Sequence, residues 1–111
     1  MAYDEALAER IRAALQGRAD VTERKMFGGI AWMVADHMAV GIIRDDLMVR
    51  VGRDAHDEAL GRPHTRPMDF GGRPMRGMVY VAPEGVASDD DLARWVEAGA
   101  AHAASQPPKK R

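Results

Sequence analysis

A two-layer α+β domain, built from a mainly antiparallel sheet with helices packed on one face, is the architecture this sequence encodes. Three observations carry that expectation. Helical periodicity is concentrated near the two ends of the chain, with a short helical candidate in the middle. Between them lie three short apolar, β-rich runs separated by polar pairs, the pattern of a three-strand meander. A further run, MVYVAP, follows a segment too rich in Pro and Gly to be helical, so one or two later strands complete the sheet.

Residues 4 to 16 predict the first helix: Leu7, Ile11, Ala14 and Leu15 recur at helical spacing, charges occupy the other side, and Gly17 stops it. In the run IAWMVA, Ile30, Trp32 and Val34 share one face of a strand, while Ala31, Met33 and Ala35 share the other. Asp36-His37 interrupts, Met38 to Ile43 resumes, Asp45-Asp46 interrupts again, and Leu47 to Val51 ends the meander. Arg53 to Leu60 is a short helical candidate ended by Gly61, and GRPHTRPMDFGGRPMRG then reads as an irregular loop, with Met68 to Phe70 as a minor strand. In the next strand Val79 and Val81 face one way, Met78 and Tyr80 the other. Ser88, three residues before Asp91, predicts the cap of a last helix whose buried stripe is Leu92, Trp95, Val96, Gly99 and Ala103. One domain over residues 1–105 and a disordered basic tail over 106–111 are expected.

The 111 residues suffice for one modest core. A formal net charge of −1 argues against a globally basic nucleic-acid binder but leaves room for a local patch. There is no cysteine, hence no disulfide, thiol nucleophile or thiolate metal site. The acidic, amphipathic start is unlike a signal peptide, and no apolar run approaches the ~20 residues of a membrane span, so a cytoplasmic location is expected. Thirteen of the sixteen basic residues are Arg, which with the abundant Ala and Gly reads as a base-composition bias.

Two glycine pairs invite a phosphate-loop reading. Such a loop needs a strand before it and a helix start after it. Gly28-Gly29 is followed by a β-patterned run, and Gly71-Gly72 by Arg-Pro and another strand. A bulge or sharp bend at the start of the first strand is therefore expected at Gly28-Gly29. No catalytic set is legible: Ser88 is engaged as a cap, Ser105 adjoins the tail, and His37, His56, His64 and His102 fall on separate elements. Neither a metal nor a cofactor is expected, because no second His or Cys fills the i+3 or i+4 offsets around His56.

Two surfaces stand out. Arg62, Arg66, Arg73 and Arg76 surround a single Asp69, a local basic excess that Arg24, Lys25 and the terminal Lys109, Lys110 and Arg111 can extend. Guanidinium forks of this kind suit phosphate or carboxylate partners. On the sheet, Met33, Ile43, Met48, Met78 and Tyr80 fall opposite the helix-covered side, an apolar outer patch that predicts self-association, most simply as a two-fold homodimer.

ERKMFGGIAWMV, then MAVGI, LMVRVG, the distant RPMDFGGRPMRGMVYV and a closing helix before PPKK together resemble the TfoX N-terminal domain family, over nearly the whole chain. The resemblance implies an α+β domain with an antiparallel sheet. Members include bacterial regulators associated with natural competence that act with the cyclic-AMP receptor protein at promoters, so it also implies a transcription-factor partner. Those regulators carry a further C-terminal helical domain, and this chain is expected to be a stand-alone N-terminal module. The family brings no catalytic residues; Met26, Phe27, Gly28, Gly29, Met68, Asp69, Phe70, Arg73, Met75 and Gly77 match its motif as structural positions. The resulting expectation is a non-enzymatic regulatory or protein-interaction module. Direct nucleic-acid binding through the Arg-rich segment stands second, and an enzyme handling a small anion there third.

Overall fold

The computed structural model describes residues 3–26, 28–70 and 73–106. Phe27, Gly71-Gly72 and the tail from Pro107 lie outside the described residues. The chain runs α1 (Glu5–Ala14), β1 (Val21–Met26), β2 (Gly29–Val34), β3 (His37–Ile43), β4 (Asp46–Arg50), α2 (His56–Leu60), β5 (Thr65–Phe70), β6 (Arg73–Val81), a 3₁₀ turn (Pro83–Val86) and α3 (Asp89–Ser105). The six strands form one open antiparallel sheet in the order β1-β2-β3-β4-β6-β5. This is the α+β architecture expected from the hydrophobic patterning.

The helices lie on one face. Ile30, Trp32 and Val34 of β2, Val40 and Ile42 of β3, Leu47 and Val49 of β4, and Val79 and Val81 of β6 point towards them. These residues form one buried cluster with Leu7 and Ile11 of α1, Ala59 of α2, and Leu92, Trp95 and Val96 of α3. Gly99 lets α3 approach the sheet closely, since a Cβ there would run into the Ala39 carbonyl. Arg10 fastens α1 to the start of α3 by donating to the Val86 carbonyl at 2.8 Å and to Asp89 at 3.0 Å.

Several local expectations change. VTERKM, which has no strand-like alternation of apolar residues, forms β1. As an edge strand it can be charged and mostly exposed: Val21 packs against the core, and Glu23 meets Arg12 of α1 at 2.6 Å. Of the bulge or sharp bend expected at Gly28-Gly29, the structure shows the bend: Gly28 lies in the corner of the β1–β2 hairpin and Gly29 opens β2. Met26 pairs with Gly29 in unbroken register, and Gly28 takes φ +74°. Gly29 is needed for proximity, because a Cβ would strike the Ile42 carbonyl of β3. The true irregularity comes later, between Trp32 and Met33.

The next corners fall one residue earlier than the polar pairs suggested. Ala35 and Asp36 both have positive φ (52° and 71°), as a type I′ hairpin requires, and Arg44 has φ +57°. The supposed Arg-rich loop is mostly sheet: β5 and β6 pair from Thr65–Val81 out to Phe70–Arg73, with a register break between Pro67 and Asp69. Proline is admitted in β5 because that strand is an edge.

Candidate functional site

The outer face of the sheet carries a second, smaller core. Met48, Met68 and Met78 are buried together, with Met38, Ile43 and Tyr80 packed against them. Their burial follows from register. Ala31, Gly41, Met48 and Tyr80 form one row across β2, β3, β4 and β6, and the Met48 methyl lies over Gly41, 2.5 Å from where a Cβ would stand. Met48 is wholly inaccessible and Met78 only 7% exposed, so neither is free to meet a partner as the apolar-patch reading had it. The accessible apolar part of this face is Met33, Met38, Ile43 and Tyr80, all half-buried.

The arginines picked out by composition do not converge. Arg62 leaves the α2–β5 connection for the helix layer and stacks on Trp95, 3.9 Å from the ring centroid. Arg66 stays on the outer face, 4.7 Å above Tyr80 and 2.6 Å from Asp46, whose carboxylate holds the guanidinium pKa above its ordinary value. Arg24 stands in the same row as Arg66 but on the opposite edge strand, five strand spacings or about 24 Å away. Lys25, the next residue of β1, falls on the other face. Arg73 belongs to the outer part of β6, and Arg76 lies near the inner end of that part. The family-motif positions Met26, Asp69, Phe70 and Met75 lie on β1, β5 and β6.

Arg76 instead joins a pocket that sequence reasoning missed. Arg50 ends β4, and the chain turns through Gly52 (φ +91°) against Gly77 of β6 (φ +88°). The Val51 and Gly52 amides both donate to the Gly77 carbonyl, at 2.8 and 3.1 Å. The two glycines touch back to back: a Cβ on Gly77 would lie 3.1 Å from the Gly52 carbonyl carbon, and one on Gly52 2.6 Å from the His102 ring. Around this contact opens a pocket of about 510 Å³, lined by Arg50, Arg53, Asp54, Arg76, His102 and Gln106 with Val51, Gly52, Ala55 and Gly77.

Burial lowers the His102 pKa, as do the nearby positive charge of Arg50 and His37, while Asp54 opposes them weakly. Among the described residues, Arg50, Arg53 and Arg76 form no ion pair. The sequence held one clue, Arg-Val-Gly-Arg across a strand end, but nothing in it brings Gly77 and His102 alongside. A smaller pocket of about 290 Å³ beside α1 and β1 is lined by Arg18 and Trp32, whose Nε and Nε1 atoms are buried without a hydrogen-bond partner. Among the described residues there is no group of three or more His, Asp or Glu side chains placed to hold a metal, and no helix long and apolar enough to cross a membrane.

An open six-stranded antiparallel sheet with three helices on one side defines a small α+β domain. Residues 13–103 match the TfoX N-terminal domain, which is most of the chain, and the protein belongs to that family. Comparison with curated proteins gave no match.

Proposed function

We propose that this domain is a non-enzymatic regulatory module that works through protein contacts, with a second copy of itself as the first partner and a transcription factor as the eventual one. The observation that carries this reading is the uncovered side of the sheet, where Met38, Ile43 and Tyr80 are half-buried against the buried methionines and Met33, paired with Met38, is half-buried on the same face. Methionine adapts to a partner's shape, and an apolar sheet face without helices gains by pairing with its own copy. The transcriptional side of the proposal rests on membership of the TfoX N-terminal domain family. The dispersal of Arg24, Lys25, Arg62 and Arg66 to different faces and edges favours protein contacts over a continuous track for nucleic acid.

Light scattering at high micromolar concentration tests the dimer. Wild type is expected at twice the chain mass, and Met38→Glu at the chain mass with an unchanged circular dichroism spectrum. A wild-type monomer under those conditions removes the reading.

A further inference from the structure

We propose that the pocket between the end of β4, the Gly77 bend of β6 and the last turn of α3 binds a small phosphate monoester. Its phosphate would sit on Arg50, Arg53 and Arg76, and its hydroxyl groups on Asp54 and Gln106.

The charge balance selects the ligand. Three guanidinium groups and one carboxylate line the pocket, a surplus of two positive charges in a protein whose formal net charge is −1. A phosphate monoester brings about −1.5 to −2 near pH 7, and guanidinium forks bind its oxygens in pairs. Elsewhere Arg10 pairs with Asp89, Arg12 with Glu9 and Glu23, Arg18 with Asp20 and Glu97, and Arg66 with Asp46. The exposed Arg24, Arg44 and Arg94, unpaired among the described residues, lie apart on β1, the β3–β4 corner and α3. Here three stand together without an ion pair among the described residues. The negative end of the α3 dipole also faces this region, but its half-charge is small beside the three cations.

Size and lining narrow the class further. About 510 Å³ falls within the usual range of small-molecule sites and exceeds what a bare phosphate fills. No Phe, Tyr or Trp lines the pocket, so it lacks a platform for a nucleobase, whereas Asp54 and Gln106 can bond hydroxyls. A compact sugar phosphate meets these requirements. A nucleic-acid backbone would instead need a basic track leading away from the pocket, and the neighbouring α2 carries Asp57 and Glu58 in its first turn.

His102 reports on occupancy. It lines the pocket together with Arg50, Arg53, Asp54 and Arg76, and its ring feels the charges of Arg50, Asp54 and His37 of β3. The Gln106 Nε2 of its own segment lies 3.4 Å from the His102 Nε2. Burial and the surrounding cations hold the ring neutral further down in pH than usual. A bound dianion reverses the field, so the ring pKa rises on binding. By linkage, the ring's contribution to binding grows as pH falls through that interval, while protonation of the phosphate itself, at about pH 6, works against it.

The test uses the full chain with glucose 6-phosphate, inorganic phosphate and glucose as probes, at fixed ionic strength. Binding is read by calorimetry, and the His102 ring by NMR titration. Glucose 6-phosphate is expected to bind and to move the His102 midpoint upward, and glucose to do neither. Arg53→Gln and Arg76→Gln, both at exposed side chains, should each weaken binding roughly tenfold while leaving the unliganded melting temperature unchanged. The proposal is overturned by no binding at millimolar glucose 6-phosphate, by equal binding to both variants, or by binding of inorganic phosphate alone. Duplex DNA that moves the His102 signals where glucose 6-phosphate does not would assign the pocket to a nucleic-acid backbone and overturn it as well.

Discussion

Gly28, Gly29 and Gly99 are the same residue with three different physical reasons, and alanine substitution separates them. Gly28 has φ +74° with nothing within 4 Å of a would-be Cβ, so Gly28→Ala costs only the left-handed conformation, about 1 kcal/mol. Gly29→Ala forces β2 away from the Ile42 carbonyl of β3, and the lost pairing makes it the costlier change, about 2–4 kcal/mol. In an ordinary helix interior, glycine to alanine gains about 1 kcal/mol. Gly99→Ala reverses that sign, because the new methyl meets the Ala39 carbonyl under α3. Urea unfolding of the three variants should rank their midpoints with Gly28→Ala nearest wild type. A Gly29→Ala midpoint equal to that of Gly28→Ala would show that β2 and β3 can part without penalty.

The start of α3 was legible because capping is local chemistry, whereas the Asp4 cap of α1 was read as part of the helix itself, and the two caps can be tested one at a time. The Ser88 hydroxyl accepts from the Asp91 amide at 3.1 Å, and the Asp4 carboxylate accepts from the Ala6 and Leu7 amides at 2.9 and 3.1 Å. Ser88→Ala should lower stability by about 1 kcal/mol and Asp4→Ala by a similar amount, nearly additively since the caps are separate. Guanidinium denaturation gives both values, and a neutral Ser88→Ala would mean that Asp89, Asp90 and Asp91 hold the first turn without the cap. The central strands were equally readable, since Ile30, Trp32 and Val34 alternate strictly towards the helix-covered face. β1 was not, because an edge strand satisfied by Val21 and the Arg12–Glu23 pair leaves a charged sequence with no period. The β5–β6 hairpin hid behind its prolines, which argue against a central strand but not against an edge. The pocket was illegible for another reason: Arg50, Gly77 and His102 come from three separated segments, and only tertiary packing brings them together.

The molecule as a whole has one thick layer of helices and, on the reverse, a thin apolar film of its own side chains. This arrangement distinguishes residues that hold the domain together from residues that can hold a partner. Met48 is inaccessible and overlies Gly41, so Met48→Ala removes buried volume in the folded single chain and should cost about 2–4 kcal/mol. Met38 is half-exposed on the same face, so Met38→Glu should leave single-chain stability within about 0.5 kcal/mol of wild type and act on association alone. The two variants therefore predict opposite patterns when unfolding is followed at several protein concentrations. Wild type and Met48→Ala should both show melting temperatures that rise with concentration, offset from each other by a constant amount. Met38→Glu should show one melting temperature at every concentration, because a protein that no longer associates has no mass-action term. If wild type is itself independent of concentration, the methionine film is simply the closed underside of a monomer, and the burial of Met48, Met68 and Met78 is all that it is for.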